Sequence, residues 1–284
     1  MSGASAYDTI GRTYSAQRRQ DQRIAARITA ALGDVRCVLN VGAGSGSYEP
    51  TGRRVVALEP SPVMLAQRSS GAAPSVRGRA EALPFPDGAF DAVMGVLTLH
   101  HWTDRLRGLA ECARVARQRI VLLTWDTEAN AFWLLRDYLP AITEQDRALF
   151  PPMSAYVTAF GSDARVEITP MPVPNDCVDG FLGAYWARPA AYLDPKVQAG
   201  ISSLARPGTE ITAGLERLRA DLTSGAWDAR YSHLRDTDEL DVGYRIVVAE
   251  ISRRGGRAPD QWVDASGEAV RSASRSGNAS PASR

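Results

Sequence analysis

The first half of the chain alternates short apolar runs with amphipathic segments. The apolar runs are RCVLNV (36–41), RVVALEP (54–60), SVRG (75–78), FDAVMGVLTL (90–99) and RIVLLTW (119–125). Segments such as SPVMLAQRSS (61–70) and TDRLRGLAECARVARQ (103–118) separate them and carry apolar residues at helical spacing. Continuous apolar strands that alternate with amphipathic helices predict an α/β fold, in which helices cover both faces of a mostly parallel sheet.

The pattern changes before and after this region. Residues 15–32 read as a helix with Ser15 as its N-cap, and helical pieces rich in aromatic residues follow Asp126. Such helices commonly cap the carboxyl edge of an open α/β sheet, where ligands bind, so we expect a lid over a pocket. The predicted division is an N-terminal helical cap (1–34), a ligand-binding core (35–126), a helical lid with one core strand near 164–173 (127–241), a final core strand (242–252) and a disordered tail rich in Gly, Ser, Ala and Arg (253–284).

Composition narrows the class of partner. The chain has 284 residues, 44% hydrophobic and 23% charged, with a formal net charge of +1. This balance does not favour binding to nucleic acid or to an anionic membrane, and it favours a small-molecule substrate. The three cysteines lack metal-ligand spacing, so no metal site is predicted. The segment MSGASAYDTIGRTYS has no apolar signal core, and no apolar stretch is long enough to span a membrane. We therefore expect a cytoplasmic protein, and the oligomeric state stays open, a homodimer included.

The stretch VLNVGAGSGSYEP (38–50) places three glycines, Gly42, Gly44 and Gly46, directly after the first predicted strand. Glycine lets a ligand approach the main chain without a Cβ in the way, and Glu59, 17 residues after Gly42, is placed to accept ribose hydroxyls. Dinucleotides and S-adenosylmethionine both use this arrangement. A dinucleotide needs the spacing GxGxxG and a full helix behind it, whereas here the spacing is GxGxG and only residues 47–53 precede the next strand. The pattern favours S-adenosylmethionine.

The chain resembles the class I S-adenosylmethionine-dependent methyltransferases, in the small-molecule branch that includes the ubiquinone/menaquinone and biotin-pathway enzymes. The motifs are VLNVGAGSGSYEP, VVALEPSPVML, GRAEALPFPDGAFDAVMGVLTLHHWTD and ARQRIVLLTWD, in family order from Cys37 to Asp126. The resemblance implies a Rossmann-like, seven-stranded, mostly parallel sheet with an antiparallel last strand and a helical lid. It also implies that a methyl group moves from S-adenosyl-L-methionine to carbon, oxygen or nitrogen of a small molecule, specialised metabolism included.

The resemblance also implies residue roles in cofactor binding. The glycines would face the methionine end, Glu59 the ribose, Pro60 and Met64 the adenine edge, and Ala80 and Glu81 its other side. Two positions depart from the family pattern, because relatives often have acids where Asn40 and Arg79 stand. The expected cofactor-binding set is Tyr14, Asn40, Gly42, Gly44, Gly46, Glu59, Pro60, Met64, Ala80, Glu81 and Leu97.

Candidate chemistry follows the fourth strand in LTLHHWTD (97–104). A histidine there would be near the transferred methyl group and could remove a proton from the acceptor, with His101 favoured slightly over His100. A structural hydrogen bond in the strand-to-helix turn is the alternative for both histidines. Aromatic residues suit a dry site for a sulfonium cation, and Trp102, Trp125, Tyr185 and Trp186 are candidates for substrate contact, with core packing as their alternative.

Two other functions stay open at this level. An NAD(P)-dependent oxidoreductase would need a Tyr/Lys pair, and Lys196, the sole lysine, falls in the predicted lid. A protein that keeps the fold but acts as a cyclase, chaperone or partner subunit would retain the same motifs.

Overall fold

The computed structural model describes residues 18–129, 131–161, 164–205 and 208–251. Its strands are β1 (Cys37–Val41), β2 (Arg54–Glu59), β3 (Ser75–Arg77), β4 (Phe90–Val96), β5 (Ala116–Trp125), β6 (Ala164–Pro170), β7 (Val173–Pro174), β8 (Glu239–Leu240) and β9 (Tyr244–Ile251). Seven of these described strands form one sheet in the order β3-β2-β1-β4-β5-β9-β6, and β7 pairs with β8. Because β9 runs antiparallel to both β5 and β6, it is the reversed strand of an otherwise parallel sheet. The predicted fold class is confirmed.

The α-helices of the described residues are α1 (Gln22–Leu32), α2 (Pro62–Ala66), α3 (Arg105–Val115), α4 (Pro140–Arg147), α5 (Met153–Phe160), α6 (Pro195–Gly200), α7 (Thr209–Ser224) and α8 (Ala226–Tyr231). The start of α1 differs from the expectation. Its N-cap is Asp21, whose carboxylate accepts the backbone N–H of Arg23, and Ser15 lies outside the described residues. Asp21 takes this role because its extended backbone and short acidic side chain match what the first turn requires.

The strand β1 and the turns that follow it form the part of the sheet's carboxyl edge where the sequence predicts a ligand. All five residues of β1 are buried, since the strand lies between β2 and β4 and carries Val38, Leu39 and Val41. Residues 42–53, which connect β1 to β2, form turns. The amides of Gly42 and Ala43 both donate to the carbonyl of Leu58, so the chain folds back over the end of β2.

The lid packs on the sheet through aromatic rings. Phe150 contacts Trp125 at the end of β5, with ring centroids 5.7 Å apart, and Phe181 contacts Tyr244 at the start of β9, at 4.9 Å. The lid therefore covers the part of the sheet's carboxyl edge where β5 ends and the antiparallel β9 begins. Among the helices described, none is both long enough and apolar enough to pass through a membrane.

Candidate active site

A cleft of about 1000 Å³ opens at the carboxyl ends of β1, β2 and β4. The described residues that line it belong to the strand ends, to the turns that follow them and to the chain before α1. They are Arg18, Asn40, Val41, Gly42, Ala43, Gly44, Ser45, Ser47, Tyr48, Leu58, Glu59, Pro60, Ser61, Met64, Arg79, Ala80, Glu81, Val96, Leu97, Thr98, His101, Trp102 and Thr103.

The glycine loop exposes main chain to this cleft. Gly42 has φ +70°, and a Cβ on it would lie 1.8 Å from Oγ1 of Thr98. Gly44 has φ +54°, and its Cβ would lie 3.3 Å from Cε of Met64. Both positions favour glycine because L side chains rarely adopt positive φ, and at Gly42 the side chain of Thr98 also occupies the space that a Cβ would need.

Glu59 holds this loop from the end of β2. Its two carboxylate oxygens each accept one backbone N–H, from Gly44 and from Ser61, both at 2.9 Å. Burial raises the pKa of this carboxyl group, and the two hydrogen bonds oppose that effect. Since each carboxylate oxygen has two lone pairs, Glu59 can also accept a pair of hydroxyl groups in the cleft. Two such acceptors side by side fit the two hydroxyl groups of the ribose of S-adenosylmethionine.

Most of the expected cofactor-binding residues meet in this cleft. Those present are Asn40, Gly42, Gly44, Glu59, Pro60, Met64, Ala80, Glu81 and Leu97. Gly46, though described, is not among the lining residues, and a Cβ on it would face Arg68 and Glu49 instead. Tyr14 lies outside the described residues. Oε1 of Glu81 accepts the backbone N–H groups of Thr103 and Asp104, at 2.5 and 3.2 Å, which ties the cleft wall to the start of α3.

A second cavity adjoins the cleft under the lid. Arg18 and Leu97 line both spaces and therefore lie where they meet. The second cavity is lined by aromatic, aliphatic and a few polar residues, namely Arg18, Leu97, His100, Trp125, Asp146, Phe150, Phe181, Leu182, Gly200, Ile201, Ser202, Ser203 and Tyr244. Leu97 has φ +49°, and such strained backbone at a non-glycine residue often marks a functional position.

The structure assigns the two candidate histidines to different spaces. Both lie on a 3-10 turn, Leu99–His101, that follows β4. His101 lines the cleft, whereas His100 lines the second cavity and stacks on Phe150, with centroids 5.0 Å apart. The two imidazole centroids are 3.7 Å apart, so the turn forms part of the boundary between the two spaces.

The four aromatic candidates for substrate contact are divided in the same way. Trp102 lines the cleft and Trp125 lines the second cavity. Tyr185 and Trp186, both described, line neither space. Trp186 is fully buried, and its Nε1 donates to the carbonyl of Val173 at 2.8 Å. Tyr185 packs beside Tyr192, with ring centroids 5.8 Å apart. These two rings form part of the lid core.

Sequence reasoning missed a buried polar network that joins the loop to the lid. Nε and Nη2 of Arg18 donate to the carboxylate of Asp179 at 2.6 and 3.2 Å, and the hydroxyl of Tyr48 donates to the same carboxylate at 2.8 Å. Burial, followed by the charge of Asp179, raises the pKa of Tyr48, so this phenol stays protonated. The three residues are far apart in sequence, and no local pattern indicates that they meet.

Comparison with known proteins agrees with this geometry. Residues 39–123 match the family model described as "Methyltransferase domain". The chain is 32% identical over 200 residues to the demethylmenaquinone methyltransferase of Mycolicibacterium paratuberculosis, a match that covers 65% of this chain and 85% of that protein.

Solved structures give the same result. A protein of Anabaena variabilis, described as a putative methyltransferase from an antibiotic biosynthesis pathway, superposes with a TM-score of 0.75 at 35% identity, over 82% of this chain and 98% of the other. The YcgJ protein of Bacillus subtilis, with 18% identity and a TM-score of 0.50 over 82% of this chain and 99% of its own, shares the fold. None of these similarities favours an oxidoreductase.

Proposed function

Because the chain belongs to the S-adenosylmethionine-dependent methyltransferases, we propose that it methylates a small, mainly apolar or aromatic acceptor that binds in the second cavity. The observation that carries this proposal is the junction between the two spaces, where Arg18 and Leu97 line both the cleft and the second cavity. When bound, S-adenosyl-L-methionine supplies an electrophilic methyl group. The contribution of this chain is to bind and orient the reactants and to exclude water.

Different residues of the cleft are placed to contact different parts of the cofactor. The bare loop of Gly42 and Gly44 would face its methionine end, Glu59 its ribose, and Met64 and Ala80 its adenine. Asn40 and Glu81 contribute polar atoms to the same wall. The matched residues 39–123 lie inside the proposed cofactor-binding core, 35–126, which supports that division of the chain.

The second cavity supports the acceptor class. Its walls include the rings of Trp125, Phe150, Phe181 and Tyr244, which suit a flat apolar molecule. His100 contributes a group that can take a proton from a hydroxyl, an amine or an acidic carbon on the acceptor. We therefore assign the general-base role to His100, while the sequence alone favoured His101. The similarity to the Anabaena protein supports a role in specialised small-molecule biosynthesis, and three buried free cysteines support a cytoplasmic location.

A cavity-filling variant tests the acceptor site. Leu182 is a half-buried lid residue in the second cavity, so Leu182→Trp should block the acceptor without reaching the cofactor cleft. With a panel of phenols, quinols and aromatic amines, we expect at least about tenfold lower methyl transfer and an unchanged dissociation constant for S-adenosylhomocysteine. Val157→Trp, at an exposed position on α5, is the matched control. Full activity of Leu182→Trp would place the acceptor elsewhere.

A further inference from the structure

Glu49 and Arg68 form a shielded ion pair behind the glycine loop. Nη2 of Arg68 lies 2.8 Å from Oε1 and 2.9 Å from Oε2 of Glu49, and the side chains of Arg68 and Glu49 are only 5% and 11% exposed. Glu49 follows the turn that contains the glycines, and Arg68 follows α2.

Each partner also contacts a residue that lines the cofactor cleft. Nδ2 of Asn40 donates to Oε1 of Glu49 at 3.4 Å, and Nη1 of Arg68 donates to the carbonyl of Gly44 at 3.3 Å. Asn40 and Gly44 line the cleft, whereas neither Glu49 nor Arg68 is among its described lining residues. The pair is therefore linked to the cleft wall by these two hydrogen bonds.

An asparagine amide can present either its oxygen or its nitrogen to a ligand, and its neighbours decide which. A carboxylate only accepts hydrogen bonds, so Glu49 selects the orientation in which the NH₂ group of Asn40 points to it. The carbonyl oxygen is then at the other end of the amide and is suited to an ammonium group. Arg68 offsets the charge of Glu49, so the pair adds little net charge beside the amide of Asn40.

On the premise of the proposed function, we infer that Glu49 and Arg68 are positioning residues for the methionine end of the cofactor. Glu49 fixes the amide of Asn40 so that its oxygen accepts from the cofactor's ammonium group. Arg68 holds Glu49 in place and anchors the carbonyl of Gly44. An oriented amide with an ion pair behind it would then recognise the ammonium group.

The test compares two ligands that differ at this end. S-adenosylhomocysteine carries the amino-acid group, and 5′-methylthioadenosine has the adenosine and the thioether without it. In Glu49→Gln, the new side chain accepts and donates, so Asn40 can turn its NH₂ group toward the ammonium. We expect S-adenosylhomocysteine to bind at least about tenfold more weakly and 5′-methylthioadenosine to bind as to the wild type, both by calorimetry.

A double-mutant cycle identifies the route. If Glu49 acts through Asn40, Asn40→Ala should weaken S-adenosylhomocysteine binding and Glu49→Gln should add little to it. Glu111→Gln is the matched control, because Glu111 forms a similar bidentate pair with Arg114 on α3, away from the loop. In Glu49→Gln alone, the unpaired charge of Arg68 could destabilise the fold. The double variant Glu49→Gln/Arg68→Met removes both charges and so serves as the replacement if the single variant does not fold.

The possible results separate this inference from the proposed function. Equal weakening of both ligands, or additive effects of Glu49→Gln and Asn40→Ala, would overturn the positioning role, because the pair would then only support the fold. A wild-type protein that binds neither ligand would overturn the proposed cofactor site itself.

Discussion

The backbone N–H of Gly44 donates to Oε2 of Glu59 over 2.9 Å, which joins the glycine loop to the end of the neighbouring strand. The residue expected to bind ribose thus also fixes the loop expected to bind the methionine end. One carboxylate therefore links the two halves of the proposed cofactor site, and changes at Glu59 should affect both halves together.

Glu59→Gln should weaken cofactor binding strongly. The amide has one accepting oxygen, so its NH₂ group would face the N–H of Gly44 or of Ser61, and one of the two bonds would be lost. Because hydrogen bonds to a charged group contribute about 1.5–3 kcal/mol, we expect a roughly tenfold or larger rise in the dissociation constant of S-adenosylhomocysteine by calorimetry. Glu167→Gln, at an exposed position of β6, should leave this constant unchanged. If Glu59→Gln binds S-adenosylhomocysteine with wild-type affinity, Glu59 does not contact the cofactor.

Gly44→Val should abolish cofactor binding while the chain still folds. The new side chain would enter the space beside Met64, at a residue with φ +54°. Positive φ for such a residue costs about 1–3 kcal/mol, so a fall in melting temperature is also expected.

Gly52→Val separates the two effects of the Gly44 variant. Gly52 has φ +73°, and beyond its two chain neighbours no atom lies within 4 Å of the position that a Cβ would take. Gly52→Val therefore carries the same free-energy cost of positive φ, while its side chain does not enter the cleft. We expect a similar fall in melting temperature in both variants and loss of S-adenosylhomocysteine binding only in Gly44→Val. Intact binding in Gly44→Val would show that the loop does not face the cofactor.

His100→Asn should lower turnover more than cofactor affinity. His100 lines the second cavity, where we propose that the acceptor binds. Loss of a general base typically costs about 100-fold or more in rate. For an acceptor that must lose a proton, kcat should fall by this amount, while the dissociation constant of S-adenosylhomocysteine stays within about twofold. His101→Asn should change the dissociation constant of S-adenosylhomocysteine more than kcat, since His101 lines the cleft proposed to bind the cofactor. An unchanged kcat in His100→Asn would contradict the general-base role, and catalysis would then depend on how the protein positions the acceptor and the cofactor.

Asp21 should make stability depend on pH in the acid range. The side chain of Arg23 holds the pKa of this carboxyl at about 2, below its ordinary value of 3.8, with help from the backbone amide of Val178 and against the effect of burial. A carboxyl whose pKa is lower in the folded state stabilises the fold above its unfolded pKa, and this stabilisation is lost as pH falls toward the folded pKa.

The comparison with Asp21→Asn isolates that contribution. We expect the wild type to be more stable by about 2 kcal/mol near pH 6, and the difference to shrink between about pH 4 and pH 2. Urea unfolding at several pH values measures it, with the exposed Asp236→Asn as control. A difference that stays constant down to pH 2 would contradict the lowered pKa.

The sequence predicted the fold through features that neighbouring residues determine. The apolar runs became the buried strands, the glycines after β1 took positive φ, and the reversed last strand was found at 244–251. The motifs in residues 37–126 also identified the family. These predictions succeed because strand periodicity and turn chemistry depend on residues close together in the chain.

Which side chains meet in the site was decided by the tertiary structure. Gly46 faces Arg68, Trp186 is in the lid core, and adjacent His100 and His101 line different spaces. The contact between Arg18 and Asp179 joins residues 161 positions apart. Local sequence alone fixed the strands, the loop and the chemistry available at the sheet edge, whereas long-range packing of the lid and of the chain before α1 selected the partners, because such contacts leave no periodic signal along the chain.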